Sequence, residues 1–329
     1  MAILVTGGAG YIGSHTVAEL LERDEEVVVI DNLLTGHREA LLGGKLYEGD
    51  LRDKALLAKL FSENKIEAVI HFAASSLVGE SMKDPVKYYD NNVYGTQCLL
   101  EAMQHAGVDK IVFSSTAATY GEPEKVPIEE TDRTEPANVY GETKLTMERM
   151  MAWFDKVLGI KYVALRYFNA AGAHASGKIG EDHRPESHLI PLVLQTALKQ
   201  RESIAVFGED YPTEDGTCVR DYIHVSDLAD AHVRAVNYLR SGSASNIFNL
   251  GNGLGFSVKQ VIETAKKVTG LDIPVVIQER RAGDPAVLVA SSDKARSILG
   301  WTPQHADLED IIQSAWNWHS ANPQGYGEE

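Results

Sequence analysis

Tyr140 and Lys144 stand four positions apart in the run Tyr140-Gly141-Glu142-Thr143-Lys144, at the head of an amphipathic stretch that reaches Phe154. On a helix such residues share a face, so a phenol and an ammonium can address one bound molecule while Glu142 and Thr143 point elsewhere. Moving a phenol from its usual pKa near 10 toward neutrality, by about 3 units, takes about 4 kcal/mol of preferential stabilisation of the phenolate. Lys144 together with a second bound cation can supply it. A second constellation, Thr6-Gly7-Gly8-Ala9-Gly10-Tyr11-Ile12-Gly13, follows the apolar run Ile3-Leu4-Val5 and opens a helix-like stretch. Glycines at 7, 10 and 13 permit a tight turn and close approach of backbone N–H groups to a pyrophosphate, with the helix dipole behind them. Asp31 ends the next apolar run, at the interval expected of a ribose-binding acid. Its carboxylate would repel a 2′-phosphate, so NAD is favoured over NADP.

These residues need a scaffold. Short unalternated apolar runs recur at Ile3-Leu4-Val5, Val27-Val28-Val29-Ile30, Ala68-Val69-Ile70-His71-Phe72, Ile111-Val112-Phe113 and Tyr162-Val163-Ala164-Leu165, with helix candidates at Ile12–Leu21, Val93–His105 and Tyr140–Phe154 between them. Strands buried on both faces and alternating with helices read as a Rossmann-type, doubly wound parallel α/β sheet. After about Gly172 the pattern changes to polar loops and mixed short elements. The expected organisation is an NAD-binding domain over 1–172 and a smaller mixed α/β substrate domain over 173–329, with 221–250 packing back on the first sheet.

Composition narrows the field. The 329 residues carry 24% charged and 44% hydrophobic side chains and a formal net charge of −16, a globular profile. The acidic balance excludes broad neutralisation of nucleic-acid phosphates, so any anionic ligand must be held by local donors. No apolar run approaches the roughly 18 residues of a membrane span. Cys98 and Cys218 lack the spacing of a thiolate metal site or a disulfide framework. Two reduced thiols and no targeting segment point to a cytoplasmic protein.

The match becomes narrower in the segments Asp31-Asn32-Leu33, His71-Phe72-Ala73, Val78-Gly79-Glu80-Ser81, Asn91-Asn92-Val93-Tyr94-Gly95-Thr96, Tyr167-Phe168-Asn169, Phe207-Gly208, Val219-Arg220-Asp221-Tyr222-Ile223-His224 and Arg280-Arg281-Ala282-Gly283-Asp284. With the glycine turn and the Tyr-Lys pair, the chain resembles, from end to end, the UDP-glucose 4-epimerase family within the extended short-chain dehydrogenase/reductase superfamily. The resemblance implies that Gly7, Gly10, Tyr11, Ile12, Gly13, Asp31, Asn32, Asp50, Leu51, Phe72, Ala73, Ala74, Asn92, Ser114 and Phe168 hold NAD with Tyr140 and Lys144. It implies Tyr140 as acid/base, Lys144 as its pKa partner and ribose anchor, and Thr116 as the hydroxyl that bonds the sugar. The UDP-sugar would meet Asn169, His188, Leu189, Phe207, Arg220, Tyr222, Arg281, Asp284 and Leu288. Two arginines can grip a diphosphate bidentately in an otherwise acidic protein.

The implied reaction inverts C4 of a UDP-hexose through a 4-keto sugar. Departures from the family pattern are Ser75-Ser76 where a lysine is common, Val139 for proline and Thr116 for serine. Leu288 is intermediate between the large side chains that exclude N-acetylated sugars and the small ones that admit them. A UDP-pentose or UDP-uronate 4-epimerase shares the same machinery, and a non-catalytic NAD-binding module would dispense with Tyr140 or Lys144. A 4,6-dehydratase would need a carboxylate pair after Thr116, where Ala117-Ala118-Thr119 stand. His183 and His188 lie in a loop in which three ligands of suitable geometry are not evident, so no metal is expected and the loop reads as a polar lid with His188 beside the uracil. The resemblance also implies a homodimer, with the helices around 93–105 and 140–154 packing as a four-helix bundle; the apolar spacing of Val93, Leu99, Leu100 and Met103 permits it, but such stripes more often belong to a domain's own core.

Overall fold

The computed structural model describes residues 1–281 and 285–327. In the first part of the chain, strands and helices alternate as β1 (Ala2–Thr6), α1 (Tyr11–Glu22), β2 (Val27–Asp31), β3 (Lys45–Glu48), α2 (Lys54–Glu63), β4 (Ile66–His71), two single turns α3 (Val78–Ser81) and α4 (Pro85–Tyr88), α5 (Gly95–Ala106), β5 (Lys110–Ser114), α6 (Val139–Leu158), β6 (Lys161–Tyr167) and β7 (Asn169–Ala171). There follow α7 (Leu189–Ala197), β8 (Ile204–Phe207), β9 (Val219–Arg220), β10 (Tyr222–His224), α8 (Val225–Arg240), β11 (Asn246–Leu250), β12 (Phe256–Ser257), α9 (Val258–Thr269), β13 (Val275–Gln278), β14 (Val287–Leu288) and α10 (Leu308–Ala321).

Seven strands form one parallel sheet in the order β11-β6-β5-β4-β1-β2-β3. Val27–Ile30 and Ile3–Val5 are buried along their whole length because helices cover both faces. The strand order reverses between β1 and β4, which makes the carboxyl ends of those strands the switch-point crevice where ligands bind in doubly wound sheets. Residues 225–250 return to this layer: α8 packs on α1, Arg23 reaches Asp230 at 2.6 Å, and β11 pairs with β6.

Val93–His105 is not one uniform helix. Tyr89–Tyr94 form a π turn, and the α-helix begins at Gly95. Such turns widen the ladder locally and re-aim a side chain, here that of Asn92. Leu99, Leu100 and Met103 are fully buried in the sheet's core and Val93 packs against the same cluster, so that stripe is consumed within the subunit and cannot serve a dimer. Exposed large apolar groups here are Tyr89 and Tyr94 of the π turn and Trp153, Val157 and Leu158 of α6.

A second core gathers Ile190, Val193 and Leu194 of α7, Val206 of β8, Val261 and Ile262 of α9, and Ile311 and Ile312 of α10. Its strands are short: β8 pairs with β13, and β9 lies between β12 and β14. The two-residue strands β9, β12 and β14 present side chains at chosen points within a sheet of minimal extent. Among the described residues no helix is long and apolar enough to cross a membrane.

Candidate active site

The glycine turn is forced by space. Gly7 has φ +69°, and a Cβ there would lie 2.6 Å from the Ala73 nitrogen; at Gly13 a Cβ would lie 2.1 Å from the Gly7 carbonyl oxygen. The first turn of α1, which holds Tyr11, Ile12 and Gly13 after the N-cap Gly10, has no side-chain cap and no acidic residue, so its N–H groups are left for an anion. Asp31, at the end of β2, accepts from Ala9 N and Leu33 N, both at 2.9 Å. Burial raises its carboxyl above the usual range, and those N–H donors oppose the rise. Asn32 donates to Asp50 at 3.2 Å, and Arg52 beside it holds Asp50 down at about 2. Leu51 is buried next to Asp50. Phe72 N and Ala73 N both donate to the Thr6 carbonyl, at 2.9 and 3.1 Å, which brings the segment Phe72-Ala73-Ala74 against the glycine turn. An anion cradle, a buried acid at the end of β2 and a tight backbone approach fit a dinucleotide.

Asn138 caps α6 by accepting from Gly141 N at 2.9 Å, and this fixes where the helix starts and hence which face carries residues 140 and 144. Tyr140 is partly buried, and its backbone N–H donates to Ser81 at 3.2 Å. Lys144 is 3% exposed. Its Nζ donates to the Ser114 carbonyl at 2.8 Å and lies 4.9 Å from the centre of the Phe113 ring and 5.9 Å from that of Tyr140. Burial pushes Lys144 down to about 7, with Glu148 pulling the other way. Burial also lifts the Tyr140 phenol above its ordinary value, and the Thr116 hydroxyl that faces it lowers it again. Protein groups alone therefore leave Tyr140 a phenol; a further cation beside it is what the pair needs.

Some assigned residues are already engaged. Asn92 accepts from Ser75 N at 2.7 Å and donates to the Ser75 carbonyl at 3.1 Å and to Thr143 at 3.0 Å, so its amide ties the loop after β4 to α6. Ser114 meets the Tyr167 hydroxyl at 2.5 Å. Two groups absent from the sequence reading support this side. Glu148 pairs with Arg166 at 2.9 and 2.5 Å and accepts from Ser115 at 2.5 Å. It stands four residues after Lys144, so the helical spacing that finds Tyr140 and Lys144 also finds it. His71 bridges Thr6 and Thr96 at 2.7 and 2.9 Å, and burial followed by Lys144 keeps it neutral, at about 3.

Across the crevice, Asn169 donates to the Asp221 carbonyl at 3.0 Å, and Tyr222 lies buried on β10 beside β7. Arg220 on β9 pairs in register with Leu288 on β14 and Phe256 on β12. Phe168 and Leu288 pack on Ala117, Tyr120 and Ile128, which places Leu288 against the segment that follows Thr116. Phe207 ends β8, and the Arg281 guanidinium stacks over its ring at 3.9 Å. Asp284 lies outside the described residues. Asp221, buried, accepts from Asn252 N at 2.7 Å and Ala290 N at 3.2 Å, a rivet that the sequence did not reveal.

His188 is the N-cap residue of α7, and Leu189 is its first residue. The expectation that no ligand trio converges in this loop is corrected: Glu181, His183, Glu186 and His188 bring four donor atoms within 4.8 Å of one another. The chain folds back between 181 and 188, a geometry that spacing in sequence does not disclose.

With this geometry in hand, comparison with known proteins is direct. The NAD dependent epimerase/dehydratase family matches residues 3–251. A UDP-glucose 4-epimerase of Halalkalibacterium halodurans is 61% identical over 329 residues, covering 100% of this chain and 98% of the relative. A crystal structure of a UDP-glucose 4-epimerase superposes with a TM-score of 0.98 at 56% identity, covering 100% of both chains. The enzyme of Bifidobacterium longum in complex with NAD+ and UDP does so with 0.93 at 41% identity, covering 99% of this chain and 100% of that one. The chain belongs to the NAD dependent epimerase/dehydratase family.

Proposed function

We propose that this chain is an NAD-dependent epimerase that interconverts UDP-galactose and UDP-glucose by inversion at C4. The observation that carries the reading is the placement of Tyr140 and the buried Lys144 at the carboxyl end of β5, on the same edge of the sheet as the glycine turn that follows β1 two strands away. NAD, held by the turn, Asp31 and the Phe72-Ala73-Ala74 segment, would accept a hydride from C4 and return it. Tyr140 takes the proton of the 4-hydroxyl and gives it back. Lys144 lowers the phenol's pKa through its charge, and Thr116 holds the sugar hydroxyl. Arg220 and Arg281 grip the diphosphate while Asn169, His188, Leu189, Phe207 and Tyr222 enclose the nucleotide.

Inversion needs the 4-keto sugar to present its other face, so the nucleotide must be held tightly and the hexose loosely. Leu288 suits the second demand: an apolar wall confines a sugar without fixing its rotation through hydrogen bonds. The same reading includes a homodimer through the helices around 93–105 and 140–154, where Tyr94 before α5 and Trp153 of α6 are exposed large apolar groups. It also includes a cytoplasmic setting, which two cysteines not joined in a disulfide, Cys98 and Cys218, favour.

The test is incubation of the purified protein with UDP-galactose and no added cofactor, following anomeric protons by NMR. Appearance of UDP-glucose supports both the epimerisation and a resident NAD. No conversion after NAD is supplied, with UDP-N-acetylgalactosamine and UDP-pentoses also unchanged, overturns the reading.

A further inference from the structure

We propose that Glu181, His183, Glu186 and His188 form a site for one divalent transition-metal ion, with Zn2+ the occupant their chemistry favours. His183 Nδ1 lies 3.2 Å from Glu181 Oε1 and 3.6 Å from Glu186 Oε2; His188 Nδ1 lies 2.9 Å from Glu181 Oε1 and 3.0 Å from Glu186 Oε1. In a tetrahedral zinc site with bonds of about 2.0–2.1 Å, neighbouring donor atoms stand about 3.3 Å apart. Three of these separations, 2.9, 3.2 and 3.6 Å, straddle that edge, the fourth runs to the other oxygen of Glu186, and one donor atom from each residue lies within 4.8 Å of the rest. Two imidazoles and two carboxylates are ligands that zinc accepts, and hard cations such as Mg2+ would take neither imidazole readily.

A cluster of opposite charges can also be only a set of ion pairs, and the hydrogen bonding argues against that here. The Glu181 side chain is 4% exposed. Its Oε1, and the Nδ1 of His183 facing it, make no hydrogen bond despite their closeness. His188 Nδ1 and Glu186 Oε1 do meet as a hydrogen bond at 3.0 Å, but the Glu181 oxygen and the His183 nitrogen turned toward the same point stay unbonded, and an unbonded buried carboxylate oxygen is costly unless something else meets it. Glu186 is held in place independently: its Oε1 accepts from Ser187 N at 2.6 Å and His188 N at 2.8 Å, which leaves Oε2 turned toward His183. Two carboxylates and two neutral imidazoles would balance a dication.

The place gives the ion a structural task. The His183 ring meets the edge of Tyr11 with centroids 6.1 Å apart, and Tyr11, first residue of α1, donates to the Gly172 carbonyl at 2.6 Å. His188 occupies the N-cap position of the helix that begins with Leu189. An ion here would staple the chain that crosses from the glycine turn to the nucleotide side of the crevice.

Tag-free protein, stripped with a chelator and dialysed, is titrated with Zn2+ by calorimetry, and the metal content of freshly purified protein is measured by mass spectrometry. The expected result is one tight equivalent per chain, with affinity reduced at least tenfold in both His183→Gln and Glu186→Gln and unchanged in His105→Gln, a histidine of α5 outside the cluster. Replacement by Co2+ should give the visible bands of a four-coordinate ion, lost in the same variants. Absence of stoichiometric binding at micromolar Zn2+ by the wild-type chain, or binding that survives both substitutions, overturns the site. Detection of both imidazoles as imidazolium by NMR in metal-supplied protein at neutral pH would overturn it too, in favour of an ion-pair cluster. None of these readouts depends on epimerase activity.

Discussion

The two sides of the crevice are built differently. On the side of the large sheet, the groups around the glycine turn and α6 are buried and joined to one another: Asp31 to Ala9 and Leu33, Asn92 to Ser75 and Thr143, Lys144 to Ser114, Glu148 to Arg166 and Ser115. On the other side, Phe207, Arg220, Arg281 and Leu288 stand at the ends of strands of two to four residues or just beyond them, none fully buried, with Arg281 stacked on a ring and exposed. The first arrangement fixes atoms before a ligand arrives, which suits a proton transfer that must be aligned. The second can yield around a ligand, which suits a sugar that has to turn.

If that contrast is correct, damage on the sheet side should appear in turnover and stability, and damage on the other side in binding. The largest expected effect is Tyr140→Phe, which should lower kcat by about 10²–10⁴-fold with KM nearly unchanged, the range for loss of a positioned acid/base. Steady-state kinetics on UDP-galactose decides it, and a loss carried by KM would break the contrast. Next, Glu148→Gln leaves the buried Arg166, whose partner side chain is 3% exposed, without its counter-ion. Uncompensated buried charge costs about 3–5 kcal/mol. Urea unfolding should show that loss, and a change under about 1 kcal/mol would mean that the pair is not the internal strut described.

How much of this was legible beforehand depends on the kind of signal. The strands of the large sheet show as apolar runs because both faces are covered, and the catalytic pair shows because i and i+4 share a face. The resemblance placed Arg220, Phe207 and Leu288, but only the register of β9 with β12 and β14 shows why a two-residue strand suffices. The stripe Leu99, Leu100 and Met103 illustrates the limit: helical spacing reveals an apolar face but not whether sheet or partner covers it. Asn92 comes from the resemblance and lies just before the expected helix Val93–His105, and the π turn over Tyr89–Tyr94 that carries it leaves no periodic mark. Glu181 to His188 shows the same limit for chemistry, because convergence of donors in a loop is set by backbone turns that spacing does not encode.

A smaller effect is expected from Arg281→Ala. A charged hydrogen-bonding contact to a diphosphate contributes about 1.5–3 kcal/mol, which is about 10–100-fold in affinity. KM for UDP-galactose and the inhibition constant of UDP should rise together by that factor while kcat stays within a few-fold. Equal losses in kcat would show that the arginine side is as tightly coupled to the chemistry as the sheet side, and the contrast would fail.

The finest test concerns the burial of Lys144 itself. With its pKa held down at about 7 by burial, the native chain binds fewer protons at this position than the unfolded chain, whose lysine titrates near the ordinary 10.5. The unfolded state is then the better proton binder between about pH 7 and 10.5, so this group makes stability rise with pH across that window, by at most about 1.4 kcal/mol per unit. Below pH 7 both states hold the proton and the full cost of burying an ammonium is present. Lys144→Met removes the group and therefore the slope. Unfolding free energies measured at pH 6.5, 8 and 9.5 should show the variant's advantage over the parent at the lowest pH shrinking as pH rises. A difference independent of pH would mean that Lys144 stays fully charged in the native protein, its ammonium sustained by the Ser114 carbonyl and Glu148, and that the sheet side tolerates a charge as readily as the exposed side does.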